Sequence, residues 1–352
     1  MKKILGILRG FPGLGRVVGG MTLLESLRDD FNIDIKVTTY LQGNQYLATR
    51  GFGELIDVSP LDYCSIGLLP TNQAGTHIHK IIKSYQPDMV IIDGEPLILM
   101  SLRISYPRLK IVALLNPSDV CNPTNEREPM DYFNYHYLMA DLAIVHGTRR
   151  VTTSYPYKKL VSLSTIIRKE VLSLSNIPDK MIYCILGGGT VNVGDEFIEN
   201  SIEIARLCCE TAYYMLDYSW HIICSSSNIY DKLSSMKICN NTHIYEGILD
   251  SREIYSNASL IITRSGRNTL SELAFLGIPS ISFVTGCSYR KEEQKQNINN
   301  LNVKNIRVAD IGILPNEFAQ LCTKSINSTC AQNGFHPGNK EAINEILSLL
   351  NS

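Results

Sequence analysis

Apolar runs short enough to be single buried strands alternate with helix-like segments along the whole chain, and the pattern is laid down twice. The first half predicts strands at Lys3–Leu8, Asp34–Thr39, Met89–Ile92, Ile111–Leu115 and Leu142–Val145, with a helix near Val17–Asp30. Turn-rich, polar sequence breaks the rhythm between residues 147 and 180, and a domain boundary belongs there. The second half restarts at "MIYCILGGGT". It continues with a helix at Asp195–Cys209, strands at His221–Ser225 and Leu260–Thr263, a helix at Asn268–Leu276 and a strand at Ser280–Phe283. Strictly alternating strands and helices build parallel sheets covered on both faces, with ligands at the carboxyl ends of the strands. The fold class expected is α/β, with two Rossmann-like domains.

Bulk properties narrow the function. A chain of 352 residues with 44% hydrophobic and 19% charged residues can bury two substantial cores. Residues 1–167 carry 17 Lys/Arg against 15 Asp/Glu and the remainder 16 against 19, so neither half has the field that holds a nucleic-acid backbone. Nucleic acid is excluded as the main partner. The opening "MKKILGILRG" is broken at Arg9 and reads as a first strand rather than an export signal. No segment reaches the roughly 18 to 20 apolar residues that a bilayer span needs. Ten scattered cysteines, without a C-x-x-C spacing, fit free thiols in a reducing cytoplasm.

Three glycine turns follow expected strands: "RGFPGLGR" with Gly13 and Gly15, "LGGGT" with Gly188, Gly189 and Thr190, and "TRSGRN" with Gly266. Glycine lets backbone N–H groups approach a ligand, and a following helix adds partial positive charge, which suits phosphate. The same turns also serve plain strand-to-helix geometry. Arg16, Arg264 and Arg267 lie at helix starts, where the macrodipole disfavours a cation by roughly 0.3–1 kcal/mol unless an anion is bound. Side chains swung into solvent would avoid that cost. Glu272 lies one to two turns into the helix after Gly266, placed either to accept two ribose hydroxyls or to sit on a solvated surface. Gln294 and Asn297, spaced i,i+3, share a helix face that could bind a polyol or face water. Asp93 and Glu95, in "PDMVIIDGEP" at Pro87–Pro96, are candidate general bases, with helix capping the alternative for Asp93. His77, His79, His136 and His146 form no pattern.

The order strand, R-S-G-x-x-T-L-x-E-L, G-I-P, then Q-x-x-N resembles the donor-binding half of GT-B glycosyltransferases. The likeness is specific over about Met181–Leu301 and strongest to the UDP-N-acetylglucosamine transferase group that completes peptidoglycan lipid intermediates. The resemblance implies two domains facing each other across a cleft. Residues 1–165 would bind acceptor, braced by a helix at 339–352, and residues 166–338 would bind a nucleotide sugar. It implies Arg264, Gly266, Arg267, Asn268 and Thr269 near the diphosphate, Glu272 on the ribose, and Gln294 and Asn297 near the sugar. Gly188, Gly189 and Thr190 resemble the glycine turn beside the donor, and Gly13, Gly15 and Arg16, which resemble the first-domain turn, are expected among the donor-binding residues as well. Relatives commonly place His where Arg16 stands, and a guanidinium cannot act as a base. Asp93 is then the expected base for its place on the strand, with Glu95 close behind.

No D-x-D motif is present, so glycine turns, helix dipoles and arginines are expected to neutralise the leaving nucleotide without metal or cofactor. The reading is an inverting hexosyl transfer from a UDP-sugar to an unidentified acceptor. A nucleotide-sugar hydrolase and a non-catalytic partner of an active transferase are the alternatives. Peripheral membrane contact and a protein partner stay open.

Overall fold

The computed structural model describes residues 1–10, 14–40, 42–52, 54–55, 73–121, 127–186, 195–224, 226–247, 250–264, 266–285, 288–328 and 334–352. The chain divides into two compact units, Met1–Arg168 with Pro337–Ser352, and Lys169–His336. Among the described residues no helix is long and apolar enough to cross a membrane.

In chain order the first unit contains β1 (Lys3–Leu8), α1 (Gly15–Phe31), β2 (Asp34–Thr39), α2 (Gln42–Thr49), β3 (Glu54–Leu55), α3 (Gln73–Tyr85), β4 (Met89–Asp93), α4 (Pro96–Ser105), β5 (Lys110–Leu115), α5 (Pro117–Val120), α6 (Arg127–Tyr137), β6 (Leu142–Gly147) and β7 (Leu160–Ser164). The strands form one seven-stranded sheet in the order β3-β2-β1-β4-β5-β6-β7, with every pairing parallel. Central strands read as unbroken apolar runs because both of their faces are covered. One face carries Leu5, Ile7, Val90 and Ile92, and the other Ile4, Leu8, Met89 and Ile91, all buried.

The second unit contains α7 (Lys169–Leu172), β8 (Met181–Ile185), α8 (Asp195–Thr211), β9 (Ser219–Cys224), α9 (Ser227–Ser234), β10 (Thr242–Glu246), α10 (Ser251–Asn257), β11 (Ala258–Arg264), α11 (Arg267–Leu276), β12 (Ser280–Phe283), α12 (Ser288–Leu301), β13 (Ile306–Ala309) and α13 (Pro315–Ile326). Its six strands are ordered β10-β9-β8-β11-β12-β13, again all parallel. The last helix, α14 (Asn339–Asn351), returns to the first unit. There it buries Ala342, Ile343, Ile346 and Leu350 in the core behind β1, and the Asn339 amide bonds both the N–H and the C=O of Ile167.

In each sheet the central strands end together. Leu8, Asp93 and Leu114 are register partners in the first, and Thr263 pairs with Ile185 and Ser282 in the second. In the first unit, side chains near these strand ends crowd together.

Candidate functional site

In the first unit the crowding produces a charged knot. Arg16, in the first turn of α1, donates from Nη1 to Oδ1 of Asp93 at 2.8 Å and from Nη2 to both oxygens of Asp119 at 2.9 Å. Asp119 is held in turn by the Asn116 N–H, 2.8 Å from Oδ2. Burial opposes the Arg16 charge, but the Asp119 and Asp93 carboxylates outweigh it and hold the guanidinium pKa well above its ordinary value. Tyr137 lies buried beside them, its phenol kept protonated by burial and then by the Asp119 charge.

Gly94 makes the knot sterically feasible. Its φ of +84° is a left-handed conformation, and a Cβ there would lie 2.7 Å from Arg16 Cδ and 2.8 Å from Arg9 Cβ. The Arg9 N–H bonds the Asp93 carbonyl at 3.0 Å, closing the turn from the β1 side. Glu95, not Asp93, occupies the cap position of α4, and its Oε1 accepts the Tyr40 hydroxyl at 2.6 Å. Both carboxylates are 1% exposed. Gly15 precedes Arg16 within α1, whereas Gly13 lies outside the described residues. His146, at the end of β6, is also buried, packed where a Cβ on Gly19 would meet its ring at 3.2 Å.

The second unit gathers a different set. Gly266 caps α11 with extended backbone and no side chain, and no acidic residue stands in the helix's first turn. The Gly266 N–H returns to the Arg264 carbonyl at 2.6 Å, and Leu270 N–H to the Gly266 carbonyl starts the helix. The helix ends at Gly277, in the left-handed region at φ +69°. Leu270, Leu273 and Ala274 bury the inner stripe. Arg264, Arg267, Asn268 and Thr269 thus surround a helix N-terminus whose dipole favours an anion. Arg267 bonds the Asn268 side-chain oxygen from Nε at 3.2 Å.

Glu272 is not a solvated surface residue. It is 3% exposed, and Oε2 accepts the Tyr255 hydroxyl at 3.0 Å. Tyr255 arrives from α10, so nothing local to "NTLSELAFLG" announces this burial. Thr285, after β12, is a second residue that sequence reasoning passed over. Its hydroxyl accepts from Arg264 Nε at 2.9 Å and its N–H donates to Gln294 Oε1 at 2.8 Å. Gln294 and Asn297 lie on α12, both half-buried. Gly188, Gly189 and Thr190 fall outside the described residues. The remaining residues expected at the site divide between the units, with Asp93, Glu95, Gly15 and Arg16 in the first and Arg264 to Asn297 in the second.

Chemically, the α11 turn can hold a multiply charged anion beside a buried hydroxyl acceptor, Glu272, while in the first unit one guanidinium is shared between two carboxylates. Among the described residues no cluster of three or more His, Cys, Asp or Glu side chains is set to hold a metal ion.

Residues 196–324 match the glycosyltransferase family 28 C-terminal domain, a span that includes both the α11 turn and α12. A curated relative from Acetivibrio thermocellus is UDP-N-acetylglucosamine--N-acetylmuramyl-(pentapeptide) pyrophosphoryl-undecaprenol N-acetylglucosamine transferase. It is 23% identical over 240 residues, covering 67% of this chain; the chain spans 62% of that relative's length. Among solved structures, Arabidopsis thaliana UGT89C1 complexed with UDP has a TM-score of 0.69 at 9% identity, covering 99% of this chain and 100% of that one. The UDP-GlcNAc 2-epimerase from Methanocaldococcus jannaschii has a TM-score of 0.61 at 14% identity, covering 98% of this chain and 99% of that one. Residues 196–324 therefore match the glycosyltransferase family 28 C-terminal domain, and the chain as a whole has the two-sheet fold of the GT-B glycosyltransferases.

Proposed function

We propose that the protein is an inverting glycosyltransferase that takes a hexose from a nucleoside-diphosphate donor, uridine favoured, without a metal. One observation carries this reading: α11 opens on a glycine cap with no first-turn acid, between Arg264 and Arg267, with a buried carboxylate at Glu272, inside the family-matched segment. In this reading the first-turn N–H groups, Gly266, Arg267, Asn268, Thr269 and Arg264 hold the diphosphate. The leaving group then departs against the fixed positive charge of arginines and helix N–H groups rather than against a metal ion. Glu272 accepts the ribose hydroxyls, and Gln294 and Asn297 contact the sugar. The UDP in the names of the transferase relative and of the UGT89C1 complex supports uridine.

The base is assigned to Glu95. Asp93 is committed to an ion pair with Arg16, whereas Oε1 of Glu95 accepts the Tyr40 hydroxyl. In the transfer the acceptor oxygen bonds to the anomeric carbon, the bond from that carbon to the diphosphate breaks, and Glu95 takes the acceptor's proton. We assign the activity to the cytoplasm, a reading supported by the free cysteines of the described residues.

The second reading is a nucleotide-sugar hydrolase on the same donor site, with water as the acceptor. UDP release from UDP-glucose, UDP-galactose and UDP-N-acetylglucosamine, measured with and without hydroxyl acceptors, separates the two. Release that requires an acceptor and survives EDTA is the expected result. Release of free sugar without acceptor establishes the hydrolase, and loss with EDTA contradicts metal independence.

A further inference from the structure

Thr285 stands at the junction of two residues on different elements of the second unit. It follows β12, is fully buried, and joins Arg264 of β11 to Gln294 of α12 through two separate groups. The two bonds differ in what they fix. A backbone N–H can only donate, so the Gln294 atom 2.8 Å from Thr285 N must be the side-chain oxygen, whatever the usual ambiguity of an amide. The Gln294 NH2 therefore points away from Thr285, and among the described residues it has no partner. The hydroxyl acts on the other side, because a guanidinium accepts no hydrogen bond and Nε must be the donor to Oγ1.

We propose that Thr285 is a positioning residue that aims Arg264 at the diphosphate and fixes Gln294 as a donor-only reader of an oxygen on the transferred sugar. The inference rests on the nucleotide-sugar reading above and adds a polarity to it. A ligand group that presents an oxygen lone pair to Gln294 is accepted. One that must itself donate at that point meets an NH2 and is refused. Swapping the polarity should then change the sugar contribution to binding and leave the nucleotide contribution in place.

Calorimetric binding of UDP, UDP-glucose and UDP-N-acetylglucosamine to wild type, Thr285→Val, Thr285→Ser and Gln294→Glu tests this, with a melt of each variant as the folding control. Thr285→Val keeps the N–H and removes the hydroxyl, so UDP should bind about 5- to 10-fold more weakly, and Thr285→Ser should restore it to within about twofold. Gln294→Glu can still accept from Thr285 N–H but offers no N–H to the sugar. The affinity of the better-bound UDP-sugar relative to UDP should fall by about fivefold or more. Equal binding by Thr285→Val and Thr285→Ser, or an unchanged UDP-sugar to UDP ratio in Gln294→Glu, overturns the proposal while the donor reading stands. If wild type binds none of the three ligands, nor dTDP, GDP, ADP or CDP, the donor reading fails and the proposal falls with it.

Discussion

Nη1 of Arg16 lies 2.8 Å from Oδ1 of Asp93, and the other arm of the same guanidinium spans both oxygens of Asp119. One cation at the start of α1 thereby fastens the ends of β4 and β5, through the Asp93 strand terminus and the α5 turn. Removing one partner leaves charge in a desolvated place, at a cost of about 3–5 kcal/mol for a buried pair. Arg16→Met strands two carboxylates and should be the most destabilising change, with Asp119→Asn milder because Asn116 N–H retains a side-chain oxygen. Urea denaturation of the two variants checks the order.

Gly94→Ala should destabilise by about 1–3 kcal/mol, because the residue must hold a positive φ while its Cβ intrudes on Arg9 and Arg16. Donor binding, which is assigned to the other unit, should be unaffected. A melt combined with UDP titration separates the two effects.

Glu95→Gln should cut kcat by about 10²-fold or more and leave the donor Kd within about twofold, as expected for loss of a general base. Tyr40→Phe should lower kcat less, since it removes only the bond that orients the carboxylate. Equal activity in wild type and Glu95→Gln reassigns the base.

Burial, and then the His243 charge, hold the His221 pKa below its ordinary value. Its ring stacks on Tyr183 and His243, with Nδ1 against the Tyr245 hydroxyl and Nε2 against Ser219. The folded state thus binds fewer protons than the unfolded chain between the depressed value and about 6.5. This contribution is complete above about pH 6.5 and is lost as pH falls through the folded pKa. His221→Phe should flatten the stability profile below about pH 6.5, read from melting temperatures across the acid range.

The central strands were legible because burial on both faces writes an uninterrupted apolar run, as in Met89–Ile92 and Leu260–Ile262. The strands that sequence reading passed over, β3, β7, β10 and β13, are the four edges of the two sheets. Edge strands bury less, and "LVSLS", "THIYE" and "IRVA" carry the mixed polarity that follows. The glycine turn and arginines of α11 were legible for a similar reason, since backbone geometry and helix polarity are local. The partners were not. Asp119, Tyr40, Tyr255 and Thr285 reach Arg16, Glu95, Glu272 and the Arg264–Gln294 pair from distant elements, and only the sheet order brings them there.

Titration of UDP, dTDP, GDP, ADP and CDP into wild type and Glu272→Ala by calorimetry tests the donor site most directly. One nucleoside diphosphate, UDP, should bind wild type and lose about tenfold or more in affinity when the buried Glu272 carboxylate is removed. Binding that is absent throughout, or indifferent to Glu272→Ala in a folded variant, contradicts it.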